Sequence, residues 1–352
     1  MPVNVSTDGA SAVIKHRPLR RSDRILVAGR RGLVGSAVWR HLSAEGFTGL
    51  LGPDSRELEL RNRSAVLDWF SVNRPRVVVL AAARVGGIKA NATWPTDFIS
   101  DNLRIQVNVM DAALRHGVER LLFLGSSCIY PREAAQPLRE EALLTGPLEE
   151  TNEAYAIAKI AGIMQVRAVR KQHGLPWICA MPTNLYGPGD DFHPERSHVL
   201  PSLIRRFHEA RVQRAPKVVN WGTGTPHREF LHVDDLARAC LVLLERYDGG
   251  LPVNVGTGED LTIRELAETV ASITGYRGKV EWDPSQPDGT PRKVLDISRI
   301  TALGWKPEIP LHDGIHATYA WYTSTGAASA RGGLGRRAMR NSAVPAAGHR
   351  DP

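Results

Sequence analysis

Two side chains four residues apart, Tyr155 and Lys159 in the run Tyr155-Ala156-Ile157-Ala158-Lys159, can do acid–base chemistry together. On a helix the i,i+4 spacing puts both on one face, so that a phenol and an ammonium converge on one point. A free phenol titrates at about 10, and a nearby cation favours its ionised form, which brings proton transfer closer to neutral pH. Upstream, the apolar run from Leu121 to Leu124 ends in Gly125-Ser126-Ser127-Cys128-Ile129-Tyr130-Pro131, where a hydroxyl of Ser126 or Ser127 could hold a reacting oxygen. Tyr-x-x-x-Lys pairs also occur as solvated neighbours on helix surfaces, so the pair needs a scaffold before it means anything.

The scaffold begins near residue 23. Arg24-Ile25-Leu26-Val27-Ala28 is a short apolar run that ends in Gly29-Arg30-Arg31-Gly32-Leu33-Val34-Gly35, and a helical pattern follows from Ser36 to Ala44. Strand, glycine-rich turn and helix in that order form a dinucleotide-binding arrangement, because glycines let the backbone approach a pyrophosphate that the helix N-terminus faces. A second strand is expected over Thr48–Leu51. An acidic side chain after it would hold a ribose diol, and an arginine would hold a 2′-phosphate. Asp54-Ser55-Arg56 offers both; Arg31 and Arg56 together favour NADP, while Asp54 keeps NAD open. Further strands are expected over Val77–Ala82, Arg120–Leu124 and Trp177–Met181, with helices over Ser64–Val72 and Asn102–His116 and a polar segment holding Asn91, Trp94, Pro95 and Asp97. Near-continuous apolar strands alternating with helices predict an α/β fold, a Rossmann-type doubly wound parallel sheet whose ligands sit at the carboxyl ends of the strands.

From about residue 188 the texture changes to Pro-, Gly- and His-rich loops between short helices, which predicts a smaller C-terminal α/β lobe that binds substrate. The expected division is a disordered extension over 1–22, a nucleotide-binding domain over 23–187 to which some later segments return, a mainly substrate-binding lobe over 188–322 and a basic disordered tail over 323–352. The charge follows this division. Of the formal +8 of the 352 residues, residues 1–22 carry +3 and residues 323–352 carry +4, which leaves about +1 for the body and argues against nucleic-acid binding. Three cysteines, Cys128, Cys179 and Cys240, show no Cys-x-x-Cys spacing and suggest neither a disulfide framework nor a metal site. No stretch approaches the ~18 apolar residues of a membrane span, so a protein of the reducing cytoplasm is expected.

The Gly-x-x-Gly-x-x-Gly turn, Tyr155-x-x-x-Lys159 and the segment from Phe230 to Asp235 resemble the extended short-chain dehydrogenase/reductases that act on nucleotide sugars. Within that family, the runs 81–87, 125–131, 152–162, 182–188, 221–235 and 287–293 resemble the branch that converts GDP-4-keto-6-deoxy-D-mannose to GDP-L-fucose by 3,5-epimerisation and then 4-keto reduction. The resemblance covers roughly residues 23–322. It implies that Cys128 is the base and His198 the acid of the epimerisation, while Tyr155 gives a proton to the C4 oxygen, Lys159 lowers the Tyr155 pKa and Ser126 orients the keto oxygen. It implies NADPH contacts from Gly29, Arg30, Arg31, Gly32, Leu33, Val34, Gly35, Arg56, Leu124, Gly125, Ser127, Lys159, Pro182, Thr183, Asn184, Leu185 and His198. A GDP-sugar would meet Arg206, Trp221, Arg228 and Asp288, and the enzyme would be a homodimer.

Each role has a plainer rival. A cysteine at a strand end is ordinarily inert packing, a histidine in His193-Pro194-Glu195-Arg196-Ser197-His198 is ordinarily a surface residue, Trp221 could be core, and Asp288 before Gly289 is a common turn residue. This chain also departs from the family's pattern: Pro53, Asp54 and Ser55 stand where relatives place an arginine or histidine, Arg84 stands where they carry Lys, and Ala92 where they carry a second Asn. The alternatives are an NAD-dependent nucleotide-sugar 4-epimerase or 4,6-dehydratase and, from another class, a non-catalytic NADP-sensing module.

Overall fold

Four apolar runs buried along their whole length build the centre of the molecule, and the computed structural model describes residues 17–286 and 288–325 around them. The chain forms β1 (Ile25–Ala28), α1 (Leu33–Ala44), β2 (Leu50–Leu51), α2 (Arg63–Asn73), β3 (Val77–Leu80), α3 (Ile88–Thr93), α4 (Pro95–Arg115), β4 (Arg120–Leu124), α5 (Glu153–His173), β5 (Ile178–Pro182) and β6 (Asn184–Tyr186). It continues through α6 (Val199–Val212), β7 (Lys217–Trp221), β8 (His227–Arg228), β9 (Phe230–His232), α7 (Val233–Arg246), β10 (Val253–Val255), β11 (Leu261–Thr262), α8 (Ile263–Thr274), β12 (Lys279–Asp283), β13 (Arg292–Lys293), α9 (Ser298–Ala302) and α10 (Leu311–Ser324).

The main sheet has the order β10-β5-β4-β3-β1-β2, and every pairing in it is parallel. Strands buried on both faces need cover on both sides. Side chains of α1 and α7 pack with Ile25, Val27, Val77 and Val79 in one core, and those of α2, α4 and α5 pack with Leu26, Val78, Leu80 and Phe123 in a second. The strand order reverses between β1 and β3, which opens a crevice at their carboxyl ends. A third core, from α6, α8 and α10 with Tyr186 and Phe230, supports the second lobe, where β7 pairs with β12 and β8 lies between β11 and β13. The parallel Rossmann-type sheet thus stands as read from the sequence, with α7 and β10 returning to it from beyond residue 188. Among the described residues no helix is long and apolar enough to cross a membrane.

Several boundaries differ from expectation for local reasons. The second strand shortens to Leu50–Leu51 because the Thr48 amide donates to the Arg21 carbonyl instead of joining the sheet. The polar segment around Asn91, Trp94 and Asp97 is helical: Pro95 fits the first helical position, and Asp97 suits the positive end of α4. Residues 17–22, expected within a disordered extension, are tied to the sheet. The Asp23 carboxylate accepts from the Arg20 amide at 2.7 Å, from Arg17 at 2.9 Å and from Arg76 at 2.6 Å, and Leu19 packs on the first core. The rest of that extension, and the tail beyond Thr325, lie outside the described residues.

The two lobes are joined through Glu229, which is wholly buried. One carboxylate oxygen accepts from the amides of Thr257 (2.5 Å) and Gly258 (2.8 Å), and the other accepts from the amide of Leu295 (2.9 Å). Its own carbonyl accepts from Thr183 (3.2 Å) and Asn184 (2.8 Å). Gly256 has to be glycine here, since a Cβ would lie 2.1 Å from the carboxylate. Glu229→Gln replaces one acceptor oxygen by a donor and leaves buried amides unpaired, so it should lower unfolding stability by roughly 2–4 kcal/mol in chemical denaturation; a loss below about 0.5 kcal/mol would show that the clamp does not matter.

Candidate active site

The site is built at the carboxyl end of β4. Leu124 leaves the sheet, the Gly125 amide donates to the Ala180 carbonyl at 2.8 Å, and a Cβ on Gly125 would lie 2.0 Å from the terminal methyl of Met181, which would have to move. The chain then makes a short 3-10 turn over Ser127–Ile129, capped by the Ser126 hydroxyl, which accepts from the Cys128 amide at 3.2 Å. This turn presents Ser126 and Cys128 toward α5 and buries Ser127.

Helix α5 brings Tyr155 and Lys159 to that turn as their spacing requires. The Tyr155 phenol lies near enough to the Ser126 hydroxyl for it to favour the ionised phenol, and its ring stands edge-on to Phe98 at 6.4 Å. The buried Lys159 ammonium donates to the Leu124 carbonyl at 2.8 Å, over the Phe123 ring and 5.8 Å from the centre of the Tyr155 ring. The expected electrostatics are altered. Burial, reinforced by the negative charge of Cys128, pushes the Tyr155 pKa well above its ordinary value, and the Ser126 hydroxyl only partly offsets this. Lys159 is brought down to about 8 by burial. The phenol is therefore held protonated, as a proton donor, and the ammonium is spent on a backbone carbonyl in this state.

Cys128 is half-buried, and burial alone would raise its pKa. The Lys293 ammonium, 3.6 Å from its sulfur, outweighs that, together with hydrogen bonds from Ser126 and Asn152, and the thiol ends below its ordinary value. Cys179 and Cys240 behave oppositely: each is buried and pushed up, Cys240 to about 12. His198 stands exposed at the N-cap position of α6, makes no side-chain cap bond, and lies near enough to Lys293 to feel its charge. Its loop is held by Gly87, whose amide donates to the Arg196 carbonyl at 3.0 Å and whose missing Cβ would lie 2.8 Å from the Ser197 carbonyl oxygen. Desolvation and the Lys293 charge lower the His198 pKa, and Asp191 counteracts them.

A dinucleotide would find its place at the β1–α1 turn. Gly29 has φ +89°, and a Cβ there would strike Ala82 at 2.8 Å; a Cβ on Gly35 would lie 2.1 Å from the Gly29 carbonyl oxygen. The N-terminus of α1 starts at Gly32 without a side-chain cap, so its first amides are open to a phosphate. Arg30 lies over Trp39, its guanidinium carbon 4.6 Å from the ring centre. Arg31 and Arg56 do converge, but on Asp54, at 2.7 and 3.1 Å. Arg56 first, and then its amide, the Glu57 amide and Arg31, hold that carboxylate down at about 2. The carboxylate thus occupies the place between the two guanidiniums.

In the second lobe, Arg228 on β8 lies opposite Lys293 on β13 and feels the Cys128 charge, so it borders the same cleft. Arg206 donates to Asn220 at 2.8 Å and to the Val219 carbonyl. Trp221, at the end of β7, is 59% exposed, which removes the core-packing explanation. Asp288 receives the Thr223 amide and hydroxyl, both at 2.8 Å, beside Gly289 at φ +73°. Its carboxylate is thus committed to the turn. Thr183 and Asn184 likewise spend their side chains on the Glu229 carbonyl, while Pro182, Asn184 and Leu185 line the ends of β5 and β6.

Comparison with known proteins identifies the family. A model of the NAD dependent epimerase/dehydratase family matches residues 25–256. A rice protein (Oryza sativa subsp. japonica) named probable GDP-L-fucose synthase 1 is 59% identical over 303 residues, covering 86% of this chain and 92% of its own. The GDP-L-fucose synthase of Escherichia coli (strain K12) is 53% identical over 308 residues, covering 85% and 96%. The chain belongs to the NAD dependent epimerase/dehydratase family, in its GDP-L-fucose synthase branch. Among solved structures, a GDP-L-fucose synthetase from Naegleria fowleri bound to NADP superposes with a TM-score of 0.80 at 28% identity, covering 87% of this chain and 96% of that one. Two residues of this member of the branch escaped the sequence reading as site residues. Lys293 reaches Cys128 across 165 positions, and the Asn152 side chain lies beside the same sulfur and favours its ionised form, while its own carbonyl oxygen is buried and unpartnered. The only sequence signal was that Asn152 opens, and Lys293 closes, a run resembling the family.

Proposed function

We propose that this protein converts GDP-4-keto-6-deoxy-D-mannose to GDP-L-fucose with NADPH, first inverting carbons 3 and 5 and then reducing the 4-keto group. What supports the reading is that Tyr155, Ser126 and Cys128 meet at the end of β4, with the Lys293 ammonium 3.6 Å from the Cys128 sulfur and its charge felt by His198 as well. Relatives that carry the GDP-L-fucose synthase name at 53–59% identity support it from outside the site. The 4-epimerase and 4,6-dehydratase alternatives are not favoured by these relatives, and a non-catalytic module has no use for a tuned thiol.

A keto group at carbon 4 acidifies the C–H bonds on both neighbours. Cys128, lowered in pKa, takes each proton as thiolate; the C–H electron pair moves to the keto oxygen as an enolate, which Ser126 and the protonated Tyr155 hydrogen-bond. His198 returns a proton to the other face, and exchange with solvent resets the pair. In the reduction, Tyr155 gives its proton to the C4 oxygen, and Lys159 supports the phenolate left behind once it turns from Leu124. NADPH, when bound, supplies the hydride to that carbon. The Gly29–Gly35 turn and the uncapped α1 N-terminus would hold its pyrophosphate, and Arg31 and Arg56 would exchange Asp54 for its 2′-phosphate. Leu124, Gly125, Ser127 and residues 182–185 would wall the nicotinamide. For the substrate, Arg228 and Arg206 suit the diphosphate and the exposed Trp221 suits a face of guanine or sugar. Asp288 acts through the turn it closes.

The reading includes a homodimer in a reducing cytoplasm. Val107 on α4 and Ile157 and Met164 on α5 are each more than a third exposed, and Ile157 and Met164 share one helical face. Three free cysteines suit a reducing compartment. Light scattering should give twice the chain mass of 38.6 kDa, and a monomer would remove the dimer from the account. Incubation of the protein with GDP-4-keto-6-deoxy-D-mannose and NADPH should oxidise the nucleotide and yield GDP-L-fucose by NMR. Oxidation without inversion, or no turnover with this substrate while UDP-sugars and NAD react, would overturn the assignment.

A further inference from the structure

Strand β13 is two residues long, and its alternation sends them to opposite sides. Arg292 turns out to Asp260, 2.6 Å away, and Lys293 turns into the cleft, opposite Arg228 in the register of β8. The next two residues are fixed from both lobes: the Val294 amide donates to Gln136 at 3.0 Å, the Leu295 amide to Glu229 at 2.9 Å, and the Val294 carbonyl accepts from Leu138 at 2.8 Å. The ammonium is thereby delivered from the second lobe to a thiol in the first, at 3.6 Å. A small cavity of about 40 Å³ opens between them, bordered by Cys128, Asn152, Glu149, Thr290 and Lys293.

We propose that Lys293 is the counter-cation of Cys128, holding the thiol as thiolate in the resting site and so arming the base before substrate arrives. The inference rests on the reading of Cys128 as the epimerisation base. The groups that face the sulfur are Lys293 and Arg228 from the second lobe, Ser126 from the β4 turn, and Asn152 and Tyr155 from the start of α5. Of these, Lys293 is the cation in hydrogen-bond contact. The same charge acts on His198, against Asp191, and disfavours imidazolium. One ammonium thus sorts the pair: it makes the thiolate easier to form and the imidazolium readier to give up its proton. When the thiolate takes a proton from the carbon beside the keto group, S–H forms, C–H breaks and the electron pair passes to the keto oxygen. Lys293 keeps its protons throughout and is a positioning residue.

The test titrates Cys128 in the full-length protein without substrate, by its rate of iodoacetamide alkylation from pH 5 to 10, read by peptide mass spectrometry. The wild-type midpoint should lie below that of an ordinary thiol, about 8.5. Lys293→Met should move it up by at least about one pH unit, which is about a tenfold slower alkylation at neutral pH, and Lys293→Arg should largely restore it. A wild-type midpoint above the ordinary value, or a K293M profile that superimposes on wild type, overturns the proposal; the first outcome needs no folded variant. Because no sugar is present, this result stands apart from the function. A shifted titration with no solvent-deuterium exchange on the GDP-sugar would leave the Lys293–Cys128 pair in place and remove the epimerase reading.

Discussion

A single buried carboxylate holds the geometry of this site. Glu229 draws three backbone amides from two distant segments and anchors the end of β5 through its own carbonyl. Burial raises its pKa, and the amides of Gly258, Leu295 and Thr257 pull it back down. Its neighbours in sequence are what matter for function. Arg228 precedes it, and Leu295, which it grips, lies two residues after Lys293. The cations of the second lobe are thus referenced to the strand ends of the first lobe through one side chain whose bonds run to both.

The chemistry follows from how differently burial acts on neighbouring groups. Tyr155, Lys159 and Cys128 all lose solvation around the end of β4, and burial pushes each toward its neutral form. For Tyr155 nothing reverses the push, so the phenol stays a donor. For Cys128 a well-placed ammonium reverses it, so the thiol ionises more readily than an ordinary one. Two groups that ordinarily titrate within about two pH units of each other are thus shifted in opposite directions by what stands next to them, the division the proposed acid and base roles require. The cofactor side shows a comparable tension, since Arg31 and Arg56 already close on Asp54. An acidic residue after β2 is uncommon beside a 2′-phosphate site, and under the proposed function the cofactor's phosphate would have to displace this internal anion.

Much of this was legible in the sequence wherever the signal was local. Apolar strands, the glycine turn and the i,i+4 pair each lie within a few residues, and the parallel sheet and the α5 face follow from them. The α3–α4 region was misread because Pro95 marks a helix start as well as a break. The expectation that Lys159 would lower the Tyr155 pKa met a different state: the ammonium has a nearer acceptor in the Leu124 carbonyl, which no spacing rule announces. Lys293, Asn152 and Glu229 act across 165, 24 and 66 positions respectively, and contacts of that range belong to the fold rather than to any stretch of sequence.

The central claim is that one cleft runs two separable proton chemistries on one keto sugar. It is tested most directly by placing Tyr155→Phe and Cys128→Ala in deuterated water with GDP-4-keto-6-deoxy-D-mannose and following carbons 3 and 5 by proton NMR. The account predicts that Y155F still exchanges deuterium into both carbons while its NADPH oxidation falls by roughly 10²-fold or more, and that C128A exchanges neither. Loss of exchange in Y155F together with full exchange in C128A would contradict the division of labour and send the base elsewhere in the cleft.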